Sequence, residues 1–419
     1  MATQDKPLIE IVPLKTKVLA GKSSKMDFLV RITAPEAEIE TDRPPLNIGL
    51  VLDRSGSMSG KKIKKAKDAA CYCMEQMLET DLFSLTVFDD EVDVVVPSVH
   101  PKNRSRIKNA ISQINAGNTT ALHEGWVKGG KQVAERMNPA MLNRVILITD
   151  GLANVGEVNT DVIVSQARGL SEHGISTTTI GVGNDFNEDL LVPMAQASGG
   201  NNWFVESAND FQKIFETEME GLVRERFTSV FLSITPVDGV EILDVMNDFE
   251  KDFEDNYILP NLVNGQPLEI IIRTQLSARE NGICDVFKME LAWQQLDHEG
   301  QQLLTEKALI EYADEKTAGD AKPNFQVQKV TKLLEVARVK REAIEYMDQG
   351  DYSASSEALA LMAPVMHDMA EEHDDEELAT EASHLEELST MVKEENDIQY
   401  SRKSMRYSSI NMQRGKKVR

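Results

Sequence analysis

Cysteine is scarce. Three thiols in 419 residues cannot build a disulfide framework. Cys71 and Cys73 stand two apart in a helical stretch and point to different faces, and Cys284 is distant. A structural zinc takes about four N or S ligands, and no second Cys or His cluster supplies them. Long apolar runs are missing too. The longest aliphatic run is Val145–Ile148, far short of the roughly 20 residues that cross a bilayer. Positive charge is in deficit, with 45 Lys and Arg against 69 Asp and Glu and a formal net charge of −24. Such a surface repels nucleic-acid phosphates and anionic lipid, so no nucleic-acid or membrane partner is expected. Residues 1–7 show no basic stretch followed by an apolar run, so no secretory leader is expected and the compartment is read as a reducing cytoplasm.

What is present suits a folded chain of two or three units. Apolar residues make up 41% of it and charged residues 27%, enough for a sizeable core. Residues 8–33 read as two strands, Leu8–Leu19 and Met26–Ile32, followed by an acidic, Pro-bearing linker from Pro35 to Pro45. From Leu46 strands alternate with helices. Leu46–Leu52, Leu82–Phe88, Arg144–Thr149, Ser176–Val182 and Asn202–Val205 are buried-type strands. Lys61–Leu78, Arg104–Ile114, Ala121–Met137, Thr160–His173, Glu188–Ala197 and Asp210–Leu222 carry helical spacing. This alternation predicts a doubly wound, mostly parallel sheet, with Val92–Val96 as an antiparallel edge strand. After Arg226 the period returns to two, as in an antiparallel β-sandwich. A lone hairpin is marginal in water, so the two N-terminal strands are expected to pair with that sandwich and make the α/β unit an insertion into it.

Residues 323–397 read as helices. Residues 366–399 hold 13 acidic side chains and one Lys, and residues 400–419 hold seven basic side chains and no acidic one. The latter is expected as a frayed basic tail. The predicted divisions are therefore N-terminal strands at 1–35, the α/β unit at 46–222, the sandwich at 226–315, a helical domain at 323–397 and the tail at 398–419.

The chemistry concentrates at strand ends. Leu46–Leu52 runs into Asp53-Arg54-Ser55-Gly56-Ser57, and Arg144–Thr149 runs into Asp150-Gly151. Between them, residues 117–125 present Thr119 and Thr120 just before a helix. Open α/β sheets bind ligands outside the carboxyl ends of their strands. Three loops thus deliver only oxygen ligands towards one place, which selects Mg²⁺, Mn²⁺ or Ca²⁺ over zinc or copper. Two carboxylates neutralise a dication without saturating it, and an open position favours an incoming anion, most simply a partner's Asp or Glu.

Asp53-x-Ser55-x-Ser57, a later Thr in a Gly/Thr loop and Asp150-Gly151 after an apolar strand resemble the metal-ion-dependent adhesion site of von Willebrand factor type A (VWA) domains. The resemblance covers about residues 46–222 and includes the Ile180–Gly183 and Ala197–Gly200 stretches. It implies a Rossmann-like fold, Ser55 and Ser57 as direct metal ligands, and Asp53 and Asp150 acting through water or hydrogen bonds. A Thr completes the set; the spacing to Leu122 and Gly125 favours Thr120 over Thr119. It also implies a shift of the last helix coupled to the metal. The wider arrangement resembles bacterial cytosolic proteins with one such domain and, more faintly, inter-alpha-trypsin-inhibitor heavy chains and chloride-channel regulators.

Other signals are weak. Gly60-Lys61 lacks the Ser or Thr of a phosphate loop, and Phe186 replaces the third Gly of a dinucleotide fingerprint. His123 reads as a helix-surface residue and Trp126 and Trp203 as packed in the α/β core. No side chain stands out as nucleophile or general base, so no catalytic residue is assigned. The expected function is a non-enzymatic, Mg²⁺-dependent protein-interaction module. The alternative is a regulatory or assembly subunit of an ATPase or kinase system.

Overall fold

The computed structural model describes residues 6–35, 44–151, 154–183, 186–205, 211–295 and 300–415. Most of the expected linker (36–43) and the last four residues of the expected tail lie outside them.

The chain opens with three strands, β1 (Leu8–Pro13), β2 (Lys17–Leu19) and β3 (Ser24–Thr33). The run expected as one strand to Leu19 is cut after Pro13. The α/β unit follows, with β4 (Leu46–Asp53), β5 (Leu82–Phe88), β6 (Val92–Val99), β7 (Leu142–Thr149), β8 (Ile175–Val182) and β9 (Asn202–Val205) in the order β6-β5-β4-β7-β8-β9. Only β6 is antiparallel, at the edge. Helices α1 (Lys61–Gln76), α2 (Arg104–Ser112) and α6 (Phe211–Val223) cover one face, while α3 (Leu122–Ala134), α4 (Thr160–Glu172) and α5 (Glu188–Ala197) cover the other. Central β4 is wholly buried: Leu46, Ile48, Leu50 and Leu52 face the first layer and Val51 the second. Helix α3 lies tight on the sheet because a Cβ on Gly129 would stand 2.1 Å from Val51 Cγ2, and one on Gly49 would stand 2.6 Å from Val133 Cγ2. The chain order reverses direction between β4 and β7, so the loops leaving these two strands flank a crevice.

Among the described residues the chain continues with β10 (Glu225–Pro236), β11 (Val240–Val245), β12 (Tyr257–Leu259), β13 (Leu262–Val263), β14 (Pro267–Leu276), β15 (Gly282–Gln295), β16 (Gln301–Ala313), a short α7 (Glu315–Gly319), and the longer α8 (Phe325–Asp348) and α9 (Tyr352–His373). After them come α10 (Glu376–Lys393) and α11 (Ile398–Gln413). One sheet has the order β1-β3-β14-β11 and another β12-β10-β15-β16-β2, with β13 also on β10. Strands from before and after the α/β unit thus share sheets, with Ser24–Thr33 paired along the whole of Leu276–Pro267. The two sheets share one apolar core, in which the Phe28 and Phe287 rings meet edge-on at 5.4 Å.

The basic tail is a correction. Residues 398–413 form α11, capped by Asp397, whose side chain accepts from the Tyr400 N–H. Met405 and Ile410 are buried. Its cations find partners outside the acidic helices α9 and α10. Lys403 donates to Phe186 O at 2.7 Å and pairs with Glu188. Arg402 reaches Asp189 at 3.0 Å and Asp348 at 2.8 Å, and Arg414 donates to Gly200 O at 2.6 Å. Small Ser401, Ser408 and Ser409 form much of the buried stripe, which is why its hydropathy signal was faint.

Candidate metal centre

The five expected oxygen ligands gather at the carboxyl ends of β4 and β7. Asp53 ends β4 and is wholly buried. Its Oδ1 accepts the Ser55 N–H at 2.7 Å, and its Oδ2 accepts the Thr149 hydroxyl at 2.5 Å. Burial pushes the Asp53 carboxyl up to about 6, with nearby Asp150 adding to the rise and the bonds from Thr149 and Ser55 opposing it. Asp150, also wholly buried, accepts the Ser57 hydroxyl on Oδ1 at 2.7 Å and the Lys62 ammonium on Oδ2 at 2.5 Å. The Ser55 and Ser57 hydroxyl oxygens are 3.1 Å apart.

Thr120 is buried and Thr119 exposed. A Cβ on Gly151 would stand 3.4 Å from Thr120 Oγ1 and 3.5 Å from Asp53 Oδ2, so that hydroxyl and that carboxylate border the same spot. The threonine loop is tied to the serine loop by Gly117 N–H to Arg54 O at 2.6 Å and Gly56 N–H to Asn118 O at 2.9 Å. Gly117 is required there, because a Cβ would fall 1.8 Å from Asp89 Oδ2. Asp89 holds the loop further through its carbonyl, which accepts the Ala121 N–H at 2.7 Å. Its carboxylate also takes Arg54 at 3.1 Å, and Asp93 takes the same guanidinium at 2.8 Å.

The arrangement fits a hard divalent cation. Mg²⁺ binds oxygens at about 2.0–2.1 Å in an octahedron, which puts neighbouring ligands about 3 Å apart, close to the Ser55–Ser57 spacing. The Ser57 hydroxyl donates to Asp150, which leaves a lone pair on each serine oxygen for a metal. Among the described residues no three His, Cys, Asp or Glu side chains gather as ligands, so hydroxyls carry any such site.

Sequence reasoning missed Thr149, Lys62, Asn154 and Asp89. Asn154 accepts the Thr120 N–H at 3.1 Å. Thr149 directly precedes Asp150, and its alternation along β7 carried that signal. Lys62 was visible only as a basic residue opening α1. His123 is turned to α4, its Nε2 2.7 Å from Gln166 Oε1. Trp126 is buried and donates to Thr177 at 3.2 Å, while half-buried Trp203 donates to Glu218 at 2.7 Å and lies beside Tyr407.

The von Willebrand factor type A domain model matches residues 47–217. Among curated relatives, an uncharacterized Synechocystis protein is 29% identical over 201 residues, 47% of this chain and 47% of that protein. Human inter-alpha-trypsin inhibitor heavy chain H4 is 28% identical over 194 residues, 44% of this chain and 20% of the relative. The chain thus spans about half or less of the length of these relatives. A solved von Willebrand factor type A protein from Catenulispora acidiphila superposes over 100% of this chain and 99% of its own with a TM-score of 0.71 at 17% identity. The ArnB paralog VWA2 from Sulfolobus acidocaldarius covers 97% of this chain and 99% of its own, with a TM-score of 0.58 at 15% identity. These two likenesses extend the shared fold through the mixed sheets and the C-terminal helices. Residues 47–217 of this chain are a von Willebrand factor type A domain.

Proposed function

We propose that this protein is a non-enzymatic module that grips an acidic side chain of a partner protein through a divalent metal, Mg²⁺ in the first instance, with Mn²⁺ or Ca²⁺ as substitutes. Ser55, Ser57 and Thr120 supply direct ligands, and Asp53 and Asp150 act behind them. The observation that carries the reading is the pair of serine hydroxyls 3.1 Å apart, with the Ser57 hydroxyl hydrogen-bonded to Asp150. Two carboxylates and a dication leave no net negative charge to repel a partner's Asp or Glu. Both carboxylates are engaged by hydrogen-bond donors, and His123 is turned to Gln166, so neither a free base nor a free nucleophile supports hydrolysis.

The architecture supports a docking role. We read the two antiparallel sheets as one β-sandwich that receives the VWA domain as an insertion, with the helices bracing both through α11. No helix among the described residues is long and apolar enough to cross a membrane, and a cytoplasmic location is part of this reading. Pull-downs from lysate with Mg²⁺, with EDTA, and with Asp53→Ala test it. Chelation and the substitution should remove the same partners; an unchanged set of captured proteins rules the metal out as the grip.

A further inference from the structure

The start of α1 breaks a local rule. Helix N-termini favour Asp and Glu and disfavour cations, yet α1 opens with Lys61-Lys62-Ile63-Lys64-Lys65 and has no acidic residue in its first turn. Its first carboxylate is Asp68, about two turns in. In a chain of net charge −24 this is a local reversal of sign. Its place in the fold is fixed by Lys62, whose ammonium sits on Asp150, so the run begins beside the candidate metal ligands.

Other cations nearby are spent. Arg54 is held by Asp89 and Asp93, and Lys67 donates to the Ser112 and Ile114 carbonyls. Lys61 and Lys64 are exposed and Lys65 half-buried. None of these three is in an ion pair among the described residues. A local rule broken without internal compensation points to function.

We propose that the partner presents a run of carboxylates, one meeting the metal while its neighbours lie over Lys61, Lys64 and Lys65. The inference rests on the metal-grip reading and adds a class of partner to it: an acidic segment, not an isolated Asp or Glu. Lys65 lies one turn from Lys62 and about 4.5 Å along the helix axis, and alternate residues of an extended chain are about 6.6 Å apart, so a carboxylate two residues from the metal-bound one comes within reach of Lys65, with Lys61 and Lys64 next to it on the helix surface.

The test uses the full chain and two labelled peptides of equal length, hexaglutamate and a polyalanine with one central Glu, read by fluorescence anisotropy in Mg²⁺ and in EDTA. In Mg²⁺ hexaglutamate should bind roughly tenfold tighter, with the advantage shrinking as salt is added. The triple variant Lys61→Gln, Lys64→Gln, Lys65→Gln should erase that advantage and leave the single-Glu peptide unchanged. If the triple variant keeps the preference, or if wild type binds both peptides equally in Mg²⁺, the acidic-segment inference falls while the metal grip stands. If hexaglutamate binds equally well in EDTA and the single-Glu peptide binds in neither condition, both readings fall.

Discussion

Strand β7 carries an ionic cluster at each end, and the two are built on opposite plans. At its start, wholly buried Arg144 donates to both oxygens of Glu225 at 2.9 and 3.0 Å, to Glu218 at 3.3 Å and to Ser176 at 2.8 Å. Glu218 also accepts from Thr178 at 2.6 Å and from Asn201 and Trp203 at 2.7 Å each. Burial alone would raise the Glu218 carboxyl; Arg144 and these three donors hold it below its ordinary value. All four lone pairs of the Glu218 carboxylate are used, and the cluster ties α6 to β10 of the antiparallel sheets. At the other end the Ser55, Ser57 and Thr120 hydroxyls meet two buried carboxylates, one of them with an ammonium on its outer oxygen. A saturated cluster fixes geometry, whereas one with spare lone pairs leaves oxygens for the proposed divalent ion. The contrast also constrains the helix shift that the family resemblance implies, since moving α6 away from β7 would strip Glu218 of a fully buried ion pair.

The largest expected effect separates stability from binding. Arg144→Met leaves two buried carboxylates unpaired and should cost about 3–5 kcal/mol of unfolding free energy, measured by urea denaturation. Ser57→Ala, at the other end of the same strand pair, removes one hydroxyl from a partly open site and should change stability by about 1 kcal/mol or less. It should weaken Mn²⁺ binding by at least about tenfold, a loss of about 1.4 kcal/mol of binding free energy, by calorimetric titration. Equal destabilisation by the two variants would erase the distinction between a lock and a binding site.

The meeting of Asp53, Ser55, Ser57 and Asp150 was legible in the sequence, and that of Arg144 with its two carboxylates was not. Asp53, Ser55, Ser57 and Asp150 stand next to strand ends, and a strand that stops in a carboxylate says where that carboxylate goes. The distance to Leu122 and Gly125 pointed to Thr120, which is buried beside exposed Thr119. Arg144, Glu218 and Glu225 are ordinary charges on separate elements, and only the packing of α6 and β10 against β7 reveals their meeting. Likewise α11 hid because serines do the packing that a periodicity search assigns to leucines. The strand boundaries near residues 8–33 slipped because Pro13 lacks an N–H, a break that apolar content alone does not mark.

Lys62 sharpens the comparison from within the binding end. Its ammonium occupies the outer oxygen of Asp150, so a dication arriving at Ser55 and Ser57 meets a carboxylate already partly neutralised. Lys62→Met should therefore tighten Mn²⁺ binding in the absence of any partner by about tenfold, the scale expected for removing one like charge a few ångströms away in a half-exposed site. Weaker binding would mean that Lys62 is needed to aim Asp150.

The smallest effect concerns a third cluster, buried like the first but carrying a titratable edge. Lys340 is wholly buried between Glu381 at 2.6 Å and Ser408 at 2.7 Å. His384 lies at its rim, with Lys340 3.5 Å and Glu381 4.0 Å from Nδ1 and Ser404 3.3 Å from Nε2. Burial, helped by the Lys340 charge, pushes the imidazole from 6.5 down to about 4. The folded protein therefore takes up the proton later than the unfolded chain does. This stabilisation is complete above about pH 6.5 and is lost as the pH falls towards 4. With a quarter of its side chain exposed, the contribution should be on the order of 1 kcal/mol. Urea melts of wild type and His384→Gln across that window isolate it, because carboxylate titration is common to both. The wild type should lose more stability on acidification than the variant does. Parallel curves would mean that His384 is as free to protonate as in the unfolded chain, and that saturation at this cluster stops at Lys340 and Glu381.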